Sequence, residues 1–193
     1  PENPKIADAA PPPQAPPVIR REDYLPPAWL VPEVSLDFAL GLEATRITSQ
    51  LSVRRNPEGN ASATLRLNGD QITPRAVRVD GTAINDWRMD GPDLLIELDG
   101  DTHTVEIETE VNPSANSQLM GLYASNGMLC TQCEAEGFRR ITFFPDRPDV
   151  LSTYRVRMSG DKAAFPILLS NGNCEAKGEG ADGTHWAEWH DPW

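Results

Sequence analysis

The chain has 193 residues, enough for one domain with an apolar core, and a formal net charge of −12 at pH 7. The acidic balance disfavours a nucleic-acid partner, because phosphate binding draws on clustered Lys and Arg. No stretch approaches the roughly 18–20 apolar residues of a membrane helix, so we expect no membrane association. An odd number of cysteines fits a reducing compartment, so we expect a cytoplasmic protein.

Residues 1–27 form a leader rich in Pro and Ala. It contains Pro11-Pro12-Pro13 and Pro16-Pro17, which favour extended polyproline conformations and cannot build a core. We expect a flexible or surface-draped leader, and a polyproline docking ligand is the alternative. The folded domain is predicted to span residues 28–193.

From Leu30 onward the apolar residues alternate with polar ones, which is typical of strands with one buried face. The first such segment carries Val34, Leu36, Phe38 and Leu40 on one face. The same alternation recurs in six later segments, marked by Leu51 and Val53, Leu65 and Leu67, Val77 and Val79, Leu94 to Leu98, Val105 to Val111, and Tyr154 to Met158.

Turn-forming residues separate these segments, as in Asp80-Gly81, Asp90-Gly91-Pro92 and Asp99-Gly100-Asp101. Asp-Gly pairs tolerate the positive φ angles of tight hairpins. Short strands spaced by such turns predict an all-β, mainly antiparallel fold, a β-sandwich or open barrel with few short helical turns. The best candidate for a helical turn is 135–144.

Three glutamates, Glu106, Glu108 and Glu110, occupy the wet face of one predicted strand. We interpret this row as a solvated face, with Arg66 or Arg78 as cross-strand partners that offset the repulsion.

Reactive side chains crowd together only at 130–140, CTQCEAEGFRR. Cys130 and Cys133 have the spacing of half a zinc knuckle, and a tetrahedral site requires two further ligands. A redox pair or a nucleophilic cysteine with a His base are weaker alternatives. Free thiols that pack as small apolar groups are the simpler explanation, and we predict no metal site in this chain.

The carboxylates of the same segment suggest a site for a positively charged group. Glu134 in a partly buried, apolar setting would bind an ammonium ion, and Gln132 offers a donor and an acceptor beside it. The alternative is a surface loop in which the glutamates pair with Arg139 or Arg140.

The sequence closely resembles the amino-terminal domain of the bacterial alanyl aminopeptidase (aminopeptidase N) family, a family of zinc metallopeptidases. The resemblance covers roughly residues 20–193. It is carried by the segments 121–123, 130–144, 146–150 and 166–173, and by His185-Trp186 and Asp191-Pro192.

The resemblance implies a saddle-like all-β domain that rests on a catalytic domain, in an enzyme that removes amino-terminal residues from peptides. By position in the motif, Glu134 is implied to grip the free amino terminus of the substrate. Gln132 is implied to line the pocket for the first side chain, and no catalytic residue is expected in this chain.

The zinc signature His-Glu-x-x-His of the family is absent from this sequence. We therefore expect the zinc ligands to lie outside this chain, in a catalytic domain that is its chief partner besides the peptide substrate. The chain itself is expected to hold no cofactor and to be inactive alone. The alternatives are a free-standing β-sandwich interaction module and a regulator without a catalytic role. Because the surface that the catalytic domain would cover is then uncovered, we also expect exposed apolar surface around Phe143, Phe144 and the terminal tryptophans.

Overall fold

The structure is a computed structural model that describes residue 18 and residues 20–192. The regular secondary structure in this part of the chain is almost entirely β, which confirms the predicted all-β, mainly antiparallel class. The described strands are β1 Trp29–Ala39, β2 Thr45–Arg55, β3 Thr64–Leu67, β4 Ala76–Val79, β5 Thr82–Ala83, β6 Arg88–Asp90, β7 Asp93–Glu97, β8 Thr102–Val111, β9 Gly121–Ser125, β10 Met128–Gln132, β11 Thr153–Asp161, β12 Asn173–Glu179 and β13 Thr184–Asp191.

The helical content of the described residues is confined to three short 3₁₀ turns, Arg21–Asp23, Pro113–Ala115 and Phe138–Arg140. None of the described helices is both long and apolar enough to cross a membrane.

The strands form one large sheet and two small ones. The large sheet has the order β12-β13-β11-β1-β2-β8-β4-β5, and the small ones are β3-β7-β6 and the β9–β10 hairpin. Strands β1 and β11 pair in parallel, whereas the other strand pairs of the described chain are antiparallel.

The main core joins the inner face of the large sheet to the small sheets. Many of its fully buried side chains come from β2 and β8 on one side and from β3 and β7 on the other, as the alternation predicts. They include Ile47, Leu51, Val105, Ile107, Leu65, Leu67, Leu94 and Ile96.

The outer face of the large sheet is charged. The Nη1 atom of Arg78 lies 2.5 Å from a carboxylate oxygen of Glu106, and Arg46 and Arg75 pair with Glu108 and Glu110. The prediction of a solvated row with Arg78 as a partner therefore holds.

The prediction that Arg66 pairs with this glutamate row was wrong. Arg66 lies on β3 in the three-stranded sheet and pairs with Asp90 and Asp93, at 2.5 and 2.8 Å. The strand order separates Arg66 from the glutamate row, and strand order is not visible in the local pattern.

The segment 135–144 differs from the predicted helical turn and from the predicted exposed apolar surface. Only Phe138–Arg140 is a 3₁₀ turn, and Phe143 and Phe144 are 0% and 3% exposed. The reason is a backbone bridge between Asn68 and Phe144, which draws both rings into the core. Trp193 lies outside the described residues.

Residues 1–17 and 19 of the predicted leader also lie outside the described residues. The part that follows is tied to the domain: Tyr24 Oη donates to Asp149 Oδ2 at 2.9 Å, and Arg147 Nη2 donates to the carbonyl of Leu25 at 2.9 Å.

Candidate functional site

The predicted site begins at the end of a hairpin. Asn126 and Gly127 form its turn, with φ angles of 51° and 78°, and the register pairs Gly121 with Gln132. The alternation of apolar residues predicts no strands here, although an Asn-Gly pair between two apolar segments is a strong hairpin signal. The hairpin thus places Gln132 at the start of the acidic loop, Cys133 to Gly137.

The loop from Cys133 to Gly137 is closed by its own backbone. The amide of Gly137 donates to the carbonyl of Cys133 at 2.8 Å, and Gln132 Nε2 donates to the carbonyl of Glu134 at 3.1 Å. The peptide bond between Glu134 and Ala135 is cis. A Cβ atom at position 137 would lie 2.5 Å from the carbonyl oxygen of Gln132, so this tight closure requires glycine.

Behind the loop, Arg139 fixes the chain to the body of the domain. Its Nε lies 3.0 Å from Asp146 Oδ2 and its Nη2 donates to the carbonyl of Asp146 at 2.7 Å. Its own carbonyl accepts from the amide of Asp70 at 2.9 Å. The next residue, Arg140, pairs with Asp70 at 3.5 Å and hydrogen-bonds Gln118.

Buried hydroxyl groups hold the segment that follows. Thr142 Oγ1 lies 2.7 Å from Ser49 Oγ of β2, and Thr109 Oγ1 of β8 donates to the carbonyl of Ile141 at 2.9 Å. These bonds satisfy polar groups that would otherwise destabilise the core. The chain just after the acidic loop is therefore immobilised against the large sheet.

The two glutamates of the loop differ. Glu136 lies 3.5 Å from Arg139, as the salt-bridge alternative predicted. The carboxylate of Glu134 forms no hydrogen bond or ion pair with any described residue, and the residue is exposed rather than partly buried as expected. Both nearby arginines are engaged elsewhere, so Glu134 remains available to an external cation.

The three cysteines are free thiols. Cys133 is half-buried against the core, and this burial raises the pKa of its thiol to about 11. Cys130 is also half-buried, whereas Cys174 is exposed on β12. Packing of free thiols, the simpler interpretation, therefore describes Cys133 well.

The histidines do not complete a metal site with these thiols. His103 pairs with Asp80, His185 Nε2 lies 2.7 Å from the carbonyl of Phe165, and His190 pairs with Glu175. Within the described residues no three His, Cys, Asp or Glu side chains cluster as metal ligands would. The described cysteines and histidines thus do not come together as zinc ligands.

The fold and the acidic loop belong to a known domain class. Residues 31–193 match the family described as the Peptidase M1 N-terminal domain, and this chain belongs to that family.

Curated relatives have the same domain within longer proteins. The chain is 45% identical over 179 residues to aminopeptidase N of Caulobacter vibrioides, covering 92% of this chain and 20% of that protein. It is 40% identical over 179 residues to aminopeptidase N of Escherichia coli, covering 93% of this chain and 20% of that protein. The chain thus spans about a fifth of the length of these relatives.

Solved structures agree on the fold. A structure of Legionella pneumophila aminopeptidase A in complex with aspartic acid superposes with a TM-score of 0.82 at 28% identity, over 88% of this chain and 20% of that one. An M1 zinc metallopeptidase from Deinococcus radiodurans superposes with a TM-score of 0.71 at 15% identity, over 86% of this chain and 40% of that one, a likeness of fold alone.

Proposed function

We propose that this chain is the amino-terminal domain of an aminopeptidase and that Glu134 binds the free ammonium group of the peptide substrate. One observation carries the proposal. Among the loop's charged side chains, Glu136 and Arg139 are paired with each other, while the Glu134 carboxylate has no partner among the described residues.

The electrostatics of Glu134 suit an exopeptidase. In open water an ion pair is weak, but removal of water around it strengthens the attraction severalfold. A catalytic domain that covers the loop would create this condition, and a carboxylate left there without a cation would be costly. An internal peptide bond offers no ammonium group, so the site selects the first residue of a peptide.

Gln132 is proposed to line the pocket for the first side chain. It is exposed at the end of β10, and its Nε2 is occupied by the carbonyl of Glu134. This hydrogen bond fixes the side chain beside the carboxylate, which would place a substrate side chain against it once the amine is held.

Attack on the peptide carbonyl requires groups that the described residues do not bring together. We assign that chemistry, including the zinc that the family resemblance implies, to a catalytic domain outside this chain. The role of this domain is then positioning, and alone it is expected to hydrolyse nothing. We also propose a cytoplasmic location, on the cysteine usage.

The decisive experiment replaces Glu134 by Gln in the full-length peptidase. We expect kcat/KM for an alanyl or leucyl substrate to fall by about 30- to 1000-fold, on the order of 2–4 kcal/mol, because one partner of a desolvated charge pair is lost. Steady-state hydrolysis of an aminoacyl p-nitroanilide measures it.

The matched control is Glu136→Gln in the same loop. This carboxylate is already paired with Arg139 at the surface, so we expect its kcat/KM to stay within about twofold of the parent. Equal kinetics for the Glu134 variant and the parent would contradict the proposal.

The Gln132 assignment has its own test. Gln132→Ala is expected to change the ratio of kcat/KM between alanyl, leucyl and phenylalanyl substrates by about tenfold, since pocket contacts discriminate side chains at this scale. A preference profile identical to that of the parent would remove Gln132 from the pocket.

A further inference from the structure

The β9–β10 hairpin has two different faces. Leu122 is buried and Leu129 packs against the core. Because side chains alternate along a strand, Met128, Cys130 and Gln132 lie on the opposite face. The exposed side chain of Gln132 thus shares its face with Met128 and Cys130, which lie outside the predicted substrate site.

Beyond Gln132, that second face carries the apolar side chains of Cys130, Tyr123 and Met128, with Ser125 at its end. Tyr123 is the cross-strand partner of Cys130, and Ser125 is the partner of Met128. Tyr123 and Cys130 are half-buried, yet neither belongs to a core cluster of the described chain. Met128 is 62% exposed. An apolar strip therefore continues from Gln132 for about 13 Å, at roughly 3.3 Å per residue.

We propose that Cys130 and Tyr123 form the wall of the first-residue pocket that lies beyond Gln132, so that Cys130 determines the preference for large apolar first residues. The inference rests on the proposed function, since it requires the substrate amine to be held at Glu134.

The distances along the strand give this wall its selectivity. Cys130 lies two residues from Gln132 on the same face, or about 6.6 Å along the strand. The methyl group of alanine is too short to span that gap, whereas leucine or phenylalanine side chains extend several ångströms further. Only large first residues would then contact the thiol and the Tyr123 ring.

The test introduces Cys130→Leu into the full-length peptidase and compares alanyl, leucyl and phenylalanyl p-nitroanilides. The larger side chain shortens the pocket, so we expect kcat/KM for the leucyl and phenylalanyl substrates to fall by about tenfold or more, a scale typical of pocket size changes. The value for the alanyl substrate should remain within about twofold.

Cys174→Leu is the matched control, because Cys174 is exposed on β12, an edge strand of the large sheet, and is not part of the β9–β10 hairpin. All three substrates should be unaffected there. Cys130→Ala, which enlarges the pocket with little risk to folding, is expected to shift preference toward the phenylalanyl substrate severalfold.

Two outcomes would overturn the inference: an equal loss for all three substrates, which a domain contact rather than a pocket wall would produce, or no change in either Cys130 variant. The Glu134→Gln variant separates the two proposals. If that variant is impaired while the Cys130 variants keep the parent's preference, the amine site stands and only the wall is wrong.

Discussion

Two neighbouring stretches of one motif behave in opposite ways. Residues 132–136 are mostly exposed and form few bonds, whereas Phe138–Phe144 is pinned by Arg139, by Thr142 and by the buried ring of Phe143. The difference shows how a surface carboxylate acquires a defined position: the loop is short, and it is held between a hairpin and a rigid anchor.

The substitution Phe143→Ala in the anchored stretch is expected to have the largest effect on stability. The ring is fully buried, so its removal is expected to lower the free energy of unfolding by about 3–5 kcal/mol. Chemical denaturation followed by circular dichroism measures the change. Met128→Ala on the exposed side of the hairpin should stay within about 0.5 kcal/mol, and similar losses for both variants would erase the distinction between anchor and exposed surface.

A smaller effect is expected at the ion pair that begins the anchor. Asp146→Ala removes the acceptor of Arg139, and the two side chains are only 16% and 22% exposed. Because the partly buried guanidinium of Arg139 would lose its ion-pair partner, we expect the free energy of unfolding to fall by about 2–3 kcal/mol. Glu136→Ala, which breaks the exposed contact to the same arginine, should change it by less than about 0.5 kcal/mol.

The last expected effect is a difference in thiol reactivity between half-buried Cys133 in the loop and exposed Cys174 on β12. Burial raises the pKa of Cys133 to about 11, so at pH 8 only about 0.1% of it is the reactive thiolate. We expect iodoacetamide to alkylate Cys133 roughly a hundredfold more slowly than exposed Cys174, as mass spectrometry of the digested protein can measure. The rate at Cys133 should rise as the pH increases toward 11. Equal rates at pH 8 would show that the loop opens.

Much of the large sheet was predictable, because strands with one buried face have a local signature. The alternation at Val34 to Leu40 and at Val105 to Val111 corresponds to β1 and β8. The β9–β10 hairpin was missed, because its apolar pattern is short, although its Asn126-Gly127 turn is a recognisable signal. The partner of Arg66 was also missed, since it depends on which sheet β3 joins.

The sequence by itself determined the fold class, the family and the acidic motif, because alternation, turn residues and motif identity are all written in neighbouring positions. Only the tertiary structure decided which glutamate is free. Arg139 can reach Glu136 and Asp146 but leaves Glu134 unpaired, and that choice depends on the path of the chain around Asn68 and Phe144. Ion pairing follows distances in space, and residues far apart in sequence set those distances.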